Sequence, residues 1–421
     1  MKRVVVTGIG LISPLGADKH EVWNRILNGD SAVQCLSHLH VEKMNTKYGY
    51  PISDYEPKTY IKSVKKLRMM SRGDSMCYAA SALAMEDAGL KKGTVDGQKI
   101  GLFVGGSKEV DTPASDMVEA IINTEKLTIS DFAMKVRDSV HPLFFVKGLP
   151  ASSLFYISEE YDLRGPNCYY MGTANVSSVA IGNAARAISM GEADVALAGG
   201  FADPLTWWNY MKVDGMGVLN RETDEEQKYY RPFDMKRKGA LLGEGSTMLI
   251  VEELTHALDR GAHIYGEVIG YGNGTDCDSI VKPSEEGNGL QTAIKKALKK
   301  SELAPNDIQY ICAHGSGTKS GDESEARAIS SIFSASHTAV SSIKSNVGHQ
   351  FSNAGAFNAY ASLMAIHTKT MPHTLHLSNC DPTWDVAFVK QQPKEGEISS
   401  VLSLARGLEG ENTALIFKEY K

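Results

Sequence analysis

The sequence predicts an α/β protein made of two similar halves. Short β-branched or apolar runs that end near glycine alternate with longer stretches of helical spacing. The alternation runs through residues 1–252 and starts again in residues 253–421. A chain of 421 residues also exceeds one ordinary core, so two domains or two fused halves are expected. No literal repeat is visible, and no long linker or low-complexity segment separates the halves, so they should form one rigid body.

In order, Val4–Thr7 reads as a buried strand closed by Gly8-Ile9-Gly10. Residues 19–28 read as a helix with Trp23, Ile26 and Leu27 on one face. The stretch 30–65, rich in His, Tyr and Pro, reads as irregular surface. Ser71–Ala88 is a helix of small residues, which lets it approach its neighbours closely. Ile100–Val104 is a strand ended by Gly105-Gly106, and 108–160 carries helical pieces. In Arg164–Ala187 an apolar, aromatic run leads through the turn Gly172-Thr173-Ala174-Asn175 into an amphipathic helix. Ala193–Gly200 and Thr247–Val251 are further strands, and Glu253–Arg260 is a helix. The second half then reads as strand Ile264–Tyr271, helix 288–300, strand Ile308–Cys312, helix 322–333, a Lys344–His349 loop, helix 354–367, and strands at 399–404 and 413–417.

Composition narrows the function classes. Hydrophobic content of 42% and charged content of 22% are ordinary for a globular protein. A net charge of -6, with no basic run interleaved with aromatics, argues against nucleic acid. Cys35, Cys77, Cys168, Cys277, Cys312 and Cys380 are scattered without a CxxC pair, as in a reduced cytoplasmic protein, and no apolar run approaches a membrane span. The N-terminus lacks the shape of a signal peptide. No metal site is expected, because His314 and His349 have no closely spaced ligand partners. Gly8-Ile9-Gly10 does not extend to a dinucleotide-binding fingerprint, since Ser13 stands where the third glycine is needed.

The turn at 172–175 is the place where an enzyme would put a nucleophile. A residue there sits at a helix N-terminus, where backbone N–H groups and the helix dipole favour an anion. Ala174 can do no such chemistry. The nearest thiol, Cys168, lies well inside the preceding strand and reads as a buried strand cysteine. Two histidine-centred loops stand in the second half, Ala313–Thr318 after a strand and Lys344–His349 before a helix. Each places an imidazole beside glycine at an element end, where a ligand can approach the backbone. Two such histidines could donate to a developing enolate or oxyanion.

KRVVVTGIGLISPLG at the N-terminus, RGPN at 164–167, ADVALAGG at 193–200, RPFD and GEGS within 231–246, AHGSGT at 313–318 and KSNVGH at 344–349 together resemble the β-ketoacyl-acyl-carrier-protein synthases. The resemblance runs in order over nearly the whole chain. It implies a thiolase-like fold, with two βαβαβαββ halves in five layers α-β-α-β-α, and a dimer. Active members use a Cys-His-His triad with a supporting Lys. Carried across, the histidines fall on His314 and His349, the lysine on Lys344, and the hydroxyls that hold a phosphopantetheine arm on Ser316 and Thr318. The acidic residue opening the next helix falls on Asp322, and the nucleophile falls on Ala174. No tightly bound cofactor is implied; the phosphopantetheine arm of an acyl carrier protein is the substrate carrier.

A second departure lies at Leu404–Asn412. Condensing members carry a glycine-rich loop there whose second aromatic gates the pocket. Here the gate position is Leu408, and Glu409 replaces a glycine. This stretch resembles the chain-length factors, the non-condensing KSβ partners of type II polyketide synthases, which pair with a catalytic ketosynthase as heterodimers or heterotetramers. Many of those also lose the histidines, and this chain keeps both. Three readings follow: a non-condensing chain-length factor, a malonyl decarboxylase using His314 and His349, or a condensing enzyme with Cys replaced by Ala at 174. Met117, Ile121, Met134 and Phe144 are candidates to shape a partner's tunnel. Lys62, Lys65, Lys66 and Arg68 are candidates to meet an acidic carrier protein.

Overall fold

A computed structural model describes residues 2–39, 44–107, 128–140, 142–221, 225–334 and 336–421. Its core has ten strands and six helices in two sets. The first runs β1 (Val4–Ile12), α1 (Arg72–Asp87), β2 (Ile100–Ser107), α2 (Ser152–Tyr161), β3 (Asn167–Met171), α3 (Val176–Ser189), β4 (Val195–Ala202), β5 (Gly245–Glu253). The second runs β6 (Gly266–Thr275), α4 (Asn288–Ser301), β7 (Tyr310–Cys312), α5 (Lys319–Phe333), β8 (Ala339–Ser341), α6 (Ala354–Thr368), β9 (Ser400–Arg406), β10 (Glu411–Lys418).

Both sets read βαβαβαββ, and both sheets have the same order. Moving toward the centre, the first runs β3-β2-β4-β5-β1 and the second β8-β7-β9-β10-β6, with the short strand Ala387–Phe388 added parallel outside β8. In each, the first three strands are parallel and the last two pair antiparallel. The sheets meet where Val5 pairs with Glu267 and Val6 with Gly266. α1 and α2 cover the outer face of the first sheet, α4 and α5 that of the second, and α3 and α6 pack together between them. This is the expected five-layer arrangement. α6 is buried on every side, which its even spread of apolar residues requires.

Several strands run past the glycines expected to end them. β1 continues to Ile12, β2 to Ser107 and β4 to Ala202. The glycines are needed for close helix approach: a Cβ on Gly10 would sit 2.0 Å from the Ala80 carbonyl oxygen, and one on Gly105 would sit 2.5 Å from the Ser177 amide nitrogen. The small-residue helix α1 thus lies directly on β1. The expected Lys344–His349 loop is partly helical, with a turn over Lys344–Val347. The expected irregular 30–65 contains a short strand pair, Gln34–Cys35 with Tyr48–Gly49. Helix α5 starts at Lys319, earlier than expected, because Thr318 caps it by accepting from the Gly321 amide.

Met117 and Ile121 lie outside the described residues. Met134 is exposed and Phe144 half-buried, each on a helix of the β2–α2 connection. Cys168 sits within β3 as expected, but at the edge of the sheet it is only half-buried. No described helix is long and apolar enough to cross a membrane.

Candidate active site

The turn before α3 carries Ala174, which is 1% exposed. Asn175 is the N-cap of α3 but makes no capping hydrogen bond. Its side-chain Nδ2 instead donates to the Glu411 carboxylate at 3.2 Å. The first-turn N–H groups of α3 are therefore not covered by a side-chain cap. Thr173 Oγ1 accepts from the Leu408 amide at 2.8 Å and donates to the Glu409 carboxylate at 2.6 Å.

His314 lies two residues past the end of β7. Gly315 and Gly317 take left-handed φ values of 55° and 72°, which bend the chain back toward α5. Glu325 of α5 then accepts from the backbone amides of His314, at 2.7 Å, and Gly315, at 2.8 Å. His349 follows Gly348, another left-handed glycine. The His314 and His349 ring centroids lie 5.1 Å apart at 78°.

The hydrogen bonds fix both tautomers. His349 Nδ1 accepts from the Phe351 amide at 3.2 Å. His314 Nδ1 faces two donors at 3.4 Å, the Arg406 amide and Lys344 Nζ. A ring nitrogen that accepts carries no proton, so in each neutral imidazole Nε2 is the donor. Lys344 Nζ also donates to the His314 carbonyl.

Electrostatics keep both rings neutral. Burial, then Lys344, His349 and Arg406, push His314 well below its ordinary value. Burial and the Lys344 charge push His349 down to about 3. Lys344 itself is lowered to about 8 by burial, against the opposing pull of Glu325. Burial raises Glu325. The pair is thus suited to donate N–H bonds to a developing negative charge and unsuited to act as acids.

Asp322 organises the neighbouring loop. It accepts from the Phe233 amide at 2.6 Å, the Gly317 amide at 2.9 Å and Ser316 Oγ at 3.1 Å. Burial raises it to about 6, although Arg237 works the other way. Ser316 Oγ lies 2.8 Å from Thr318 Oγ1.

A cavity of about 520 Å³ joins these loops. Ala174, His314, His349, Ser316, Thr318 and Leu408 all line it, while Lys344 stands behind His314. Neither Met134 nor Phe144 lines it. Among the expected basic residues, Lys62, Lys65 and Arg68 are exposed, and Lys66 is tied to Glu159 and Glu160. No cluster able to hold a metal exists among the described residues.

Sequence reasoning missed three participants. Arg406 lines the cavity and is buried against Asp276, Asn412 and Ser324. Glu325 holds the His314 loop, and its spacing in a helix after that loop was the available signal. Thr173 reaches the 407–410 loop, a contact across more than 230 residues that no local pattern reveals.

Residues 1–257 match the Beta-ketoacyl synthase, N-terminal domain, and residues 265–378 match the Beta-ketoacyl synthase, C-terminal domain. The 3-oxoacyl-[acyl-carrier-protein] synthase 2 of Coxiella burnetii is 32% identical over 99% of this chain and 98% of its own length. That of Rhizobium meliloti is 33% identical over 100% and 99%. Among solved structures, the ishigamide ketosynthase/chain length factor superposes with a TM-score of 0.90 at 27% identity, covering 100% of both chains. The AntDE:AntF type II PKS acyl-carrier protein in complex with its ketosynthase gives 0.86 at 25% identity, again over 100% of both chains. Matches to both domains and relatives a third identical over the full length make this chain a member of the β-ketoacyl synthase family.

Proposed function

We propose that this chain is a non-condensing subunit of the chain-length-factor type. It pairs with a catalytic ketosynthase and receives the phosphopantetheine arm of an acyl carrier protein. The pair builds a polyketide or polyene chain from malonyl units. Ala174 carries this reading: the turn at the start of α3 borders the same cavity as two neutral imidazole donors and holds no nucleophile. Leu408 and Glu409, in place of an aromatic gate and a glycine, support it, as does the similarity to a ketosynthase/chain length factor. Ser316 and Thr318, both on the cavity wall, are the hydroxyls for the arm. Lys62, Lys65 and Arg68 remain exposed for an acidic carrier. The test is reconstitution with malonyl-carrier protein, with and without a cysteine-bearing ketosynthase from the same genome. Product formed only by the pair supports the reading. A homodimer of this chain that condenses acyl and malonyl carriers alone overturns it.

The retained imidazoles favour a second activity at the same site, decarboxylation of malonyl-carrier protein. The bond from the malonyl carboxylate to Cα breaks, and carbon dioxide leaves. The electron pair forms a thioester enolate whose oxygen accepts from the two Nε2–H groups. Protonation of its carbon by solvent then gives the acetyl thioester. No acyl-enzyme is required. Carbon dioxide release by the chain alone, lost in His314→Ala, supports it, whereas release unchanged by that substitution refutes it. Ala174→Cys tests the remaining alternative, a condensing enzyme whose native residue is Cys. Self-acylation and condensation in that variant favour it.

A further inference from the structure

We propose that Thr173 is a positioning residue that clasps the Gly407–Gly410 loop and fixes Leu408 as a lid over the Ala174 end of the cavity. The proposal rests on the reading of this cavity as an acyl site.

Thr173 Oγ1 makes two bonds to adjacent loop residues, accepting from the Leu408 amide at 2.8 Å and donating to the Glu409 carboxylate at 2.6 Å. One hydroxyl beside Ala174 therefore holds both the backbone of the lid residue and the side chain after it. A second tie lies two residues on, where Asn175 Nδ2 donates to the Glu411 carboxylate at 3.2 Å and lies 3.5 Å from Thr413 Oγ1. The loop is closed on itself by the Gly407 amide, which donates to the Glu411 carbonyl at 2.7 Å. The fit is tight: a Cβ on Gly407 would lie 2.8 Å from Asn175 Oδ1 and 3.1 Å from Thr173 Oγ1. Leu408, Thr173 and Ala174 all line the cavity.

The clasp makes the depth of the site a property of the resting protein. An acyl group entering the cavity meets Leu408 already in place, and lengthening the site requires breaking both Thr173 bonds. Losing a pair of hydrogen bonds at a half-exposed position changes a local opening equilibrium by about tenfold. Short acyl groups fit under the fixed lid, whereas long ones need it lifted.

Amide hydrogen exchange over residues 405–411 tests the clasp on the intact chain without substrate or partner. Thr173→Val should speed exchange at 407–410 about tenfold, with α3 unchanged. Thr173→Ser, which keeps the hydroxyl, should exchange as the original does, and Glu409→Ala should fall between them. Binding of octanoyl-pantetheine relative to acetyl-pantetheine should rise in Thr173→Val and not in Thr173→Ser. Equal exchange in the Val and Ser variants overturns the clasp. Faster exchange without a change in acyl preference overturns the lid role. If exchange behaves as expected while the proteins neither decarboxylate nor support a ketosynthase, the functional reading fails and the clasp stands.

Discussion

Ala174→Cys would measure what the turn before α3 can do. The substitution adds one sulfur at a cavity wall, so the packing change is small. An ordinary thiol titrates near 8.5. Three contributions act on a thiolate at this position. The end of a 14-residue helix without a side-chain cap favours an anion by ~0.5–1 kcal/mol. The two imidazoles border the same cavity, and a charge-assisted hydrogen bond from each Nε2–H to the sulfur would contribute ~1.5 kcal/mol. Burial opposes these: in the closed core it pushes the Cys312 thiol up to about 12, whereas at residue 174, which borders the cavity, the penalty is taken as roughly 1–2 kcal/mol. The balance favours the thiolate by about 2 kcal/mol, which places the thiol near pH 7 at ~1.4 kcal/mol per unit. The assay is the rate of iodoacetamide alkylation at residue 174 against pH, followed by peptide mass spectrometry. Peptide resolution is needed because Cys35 and Cys277 are exposed. Replacing His314 or His349 by Ala in this background should move the thiol back up by about one unit. A thiol that titrates at 8.5 or above, or that ignores both histidine substitutions, would refute the geometry assigned to the site.

Other substitutions test the surrounding framework. His349 sits at about 3 when folded and near 6.5 when unfolded, so below pH 6.5 the unfolded chain takes up a proton that the folded site refuses. Stability should therefore fall as pH falls, and urea denaturation at pH 7 and pH 5 should show a drop about 2 kcal/mol smaller in His349→Gln. Asp322, raised to about 6, acts with the opposite sign between pH 6 and its unfolded value near 4, so Asp322→Asn should steepen the acid loss. Arg406→Met leaves the Asp276 carboxylate buried without its cation and should cost ~3–5 kcal/mol by urea denaturation, with part regained on adding Asp276→Asn. Gly10→Ala drives a methyl into the α1 backbone at Ala80 and should cost about 3 kcal/mol or prevent folding, read as a shift in thermal midpoint.

The order of strands and helices was legible because alternating β-branched runs and helical spacings are local signals. Strand ends were less legible. Gly10, Gly105 and Gly199 look like turns in sequence, yet each is a point where a helix or a neighbouring strand comes too close for a Cβ. Only the packing of distant segments separates those two uses of glycine. The site divided in the same way. His314 and His349 lie in short glycine-bounded loops and stand out by pattern, whereas Ser316 and Thr318 are singled out only through the family resemblance. Arg406 could not be assigned its partners, since Asp276 is 130 residues away. The Thr173–Glu409 contact depends on β3 and the β9–β10 loop meeting across the fold, which no periodicity encodes.

The two imidazoles bear directly on how Ala174 should be understood. Burying a histidine without its charge makes the protein vulnerable to acid, and this site does so twice beside a buried lysine. A purely structural core would gain more from apolar side chains of similar volume. Backbone amides of Phe351 and Arg406 hold the two Nδ1 atoms, so the protein uses its own groups to keep both Nε2 protons available to the cavity. A neutral N–H pair serves an oxygen that gains negative charge, and decarboxylation creates one with no nucleophile present. On the proposed reading, an alanine at the nucleophile position beside two N–H donors is therefore chemically consistent. The site cannot hold an acyl chain covalently at 174, yet it keeps the groups that would stabilise an enolate. Under the proposed pairing, such a subunit could supply acetyl starters to a partner that elongates them, and carbon dioxide release that depends on His314 is the observation that separates this role from a silent scaffold.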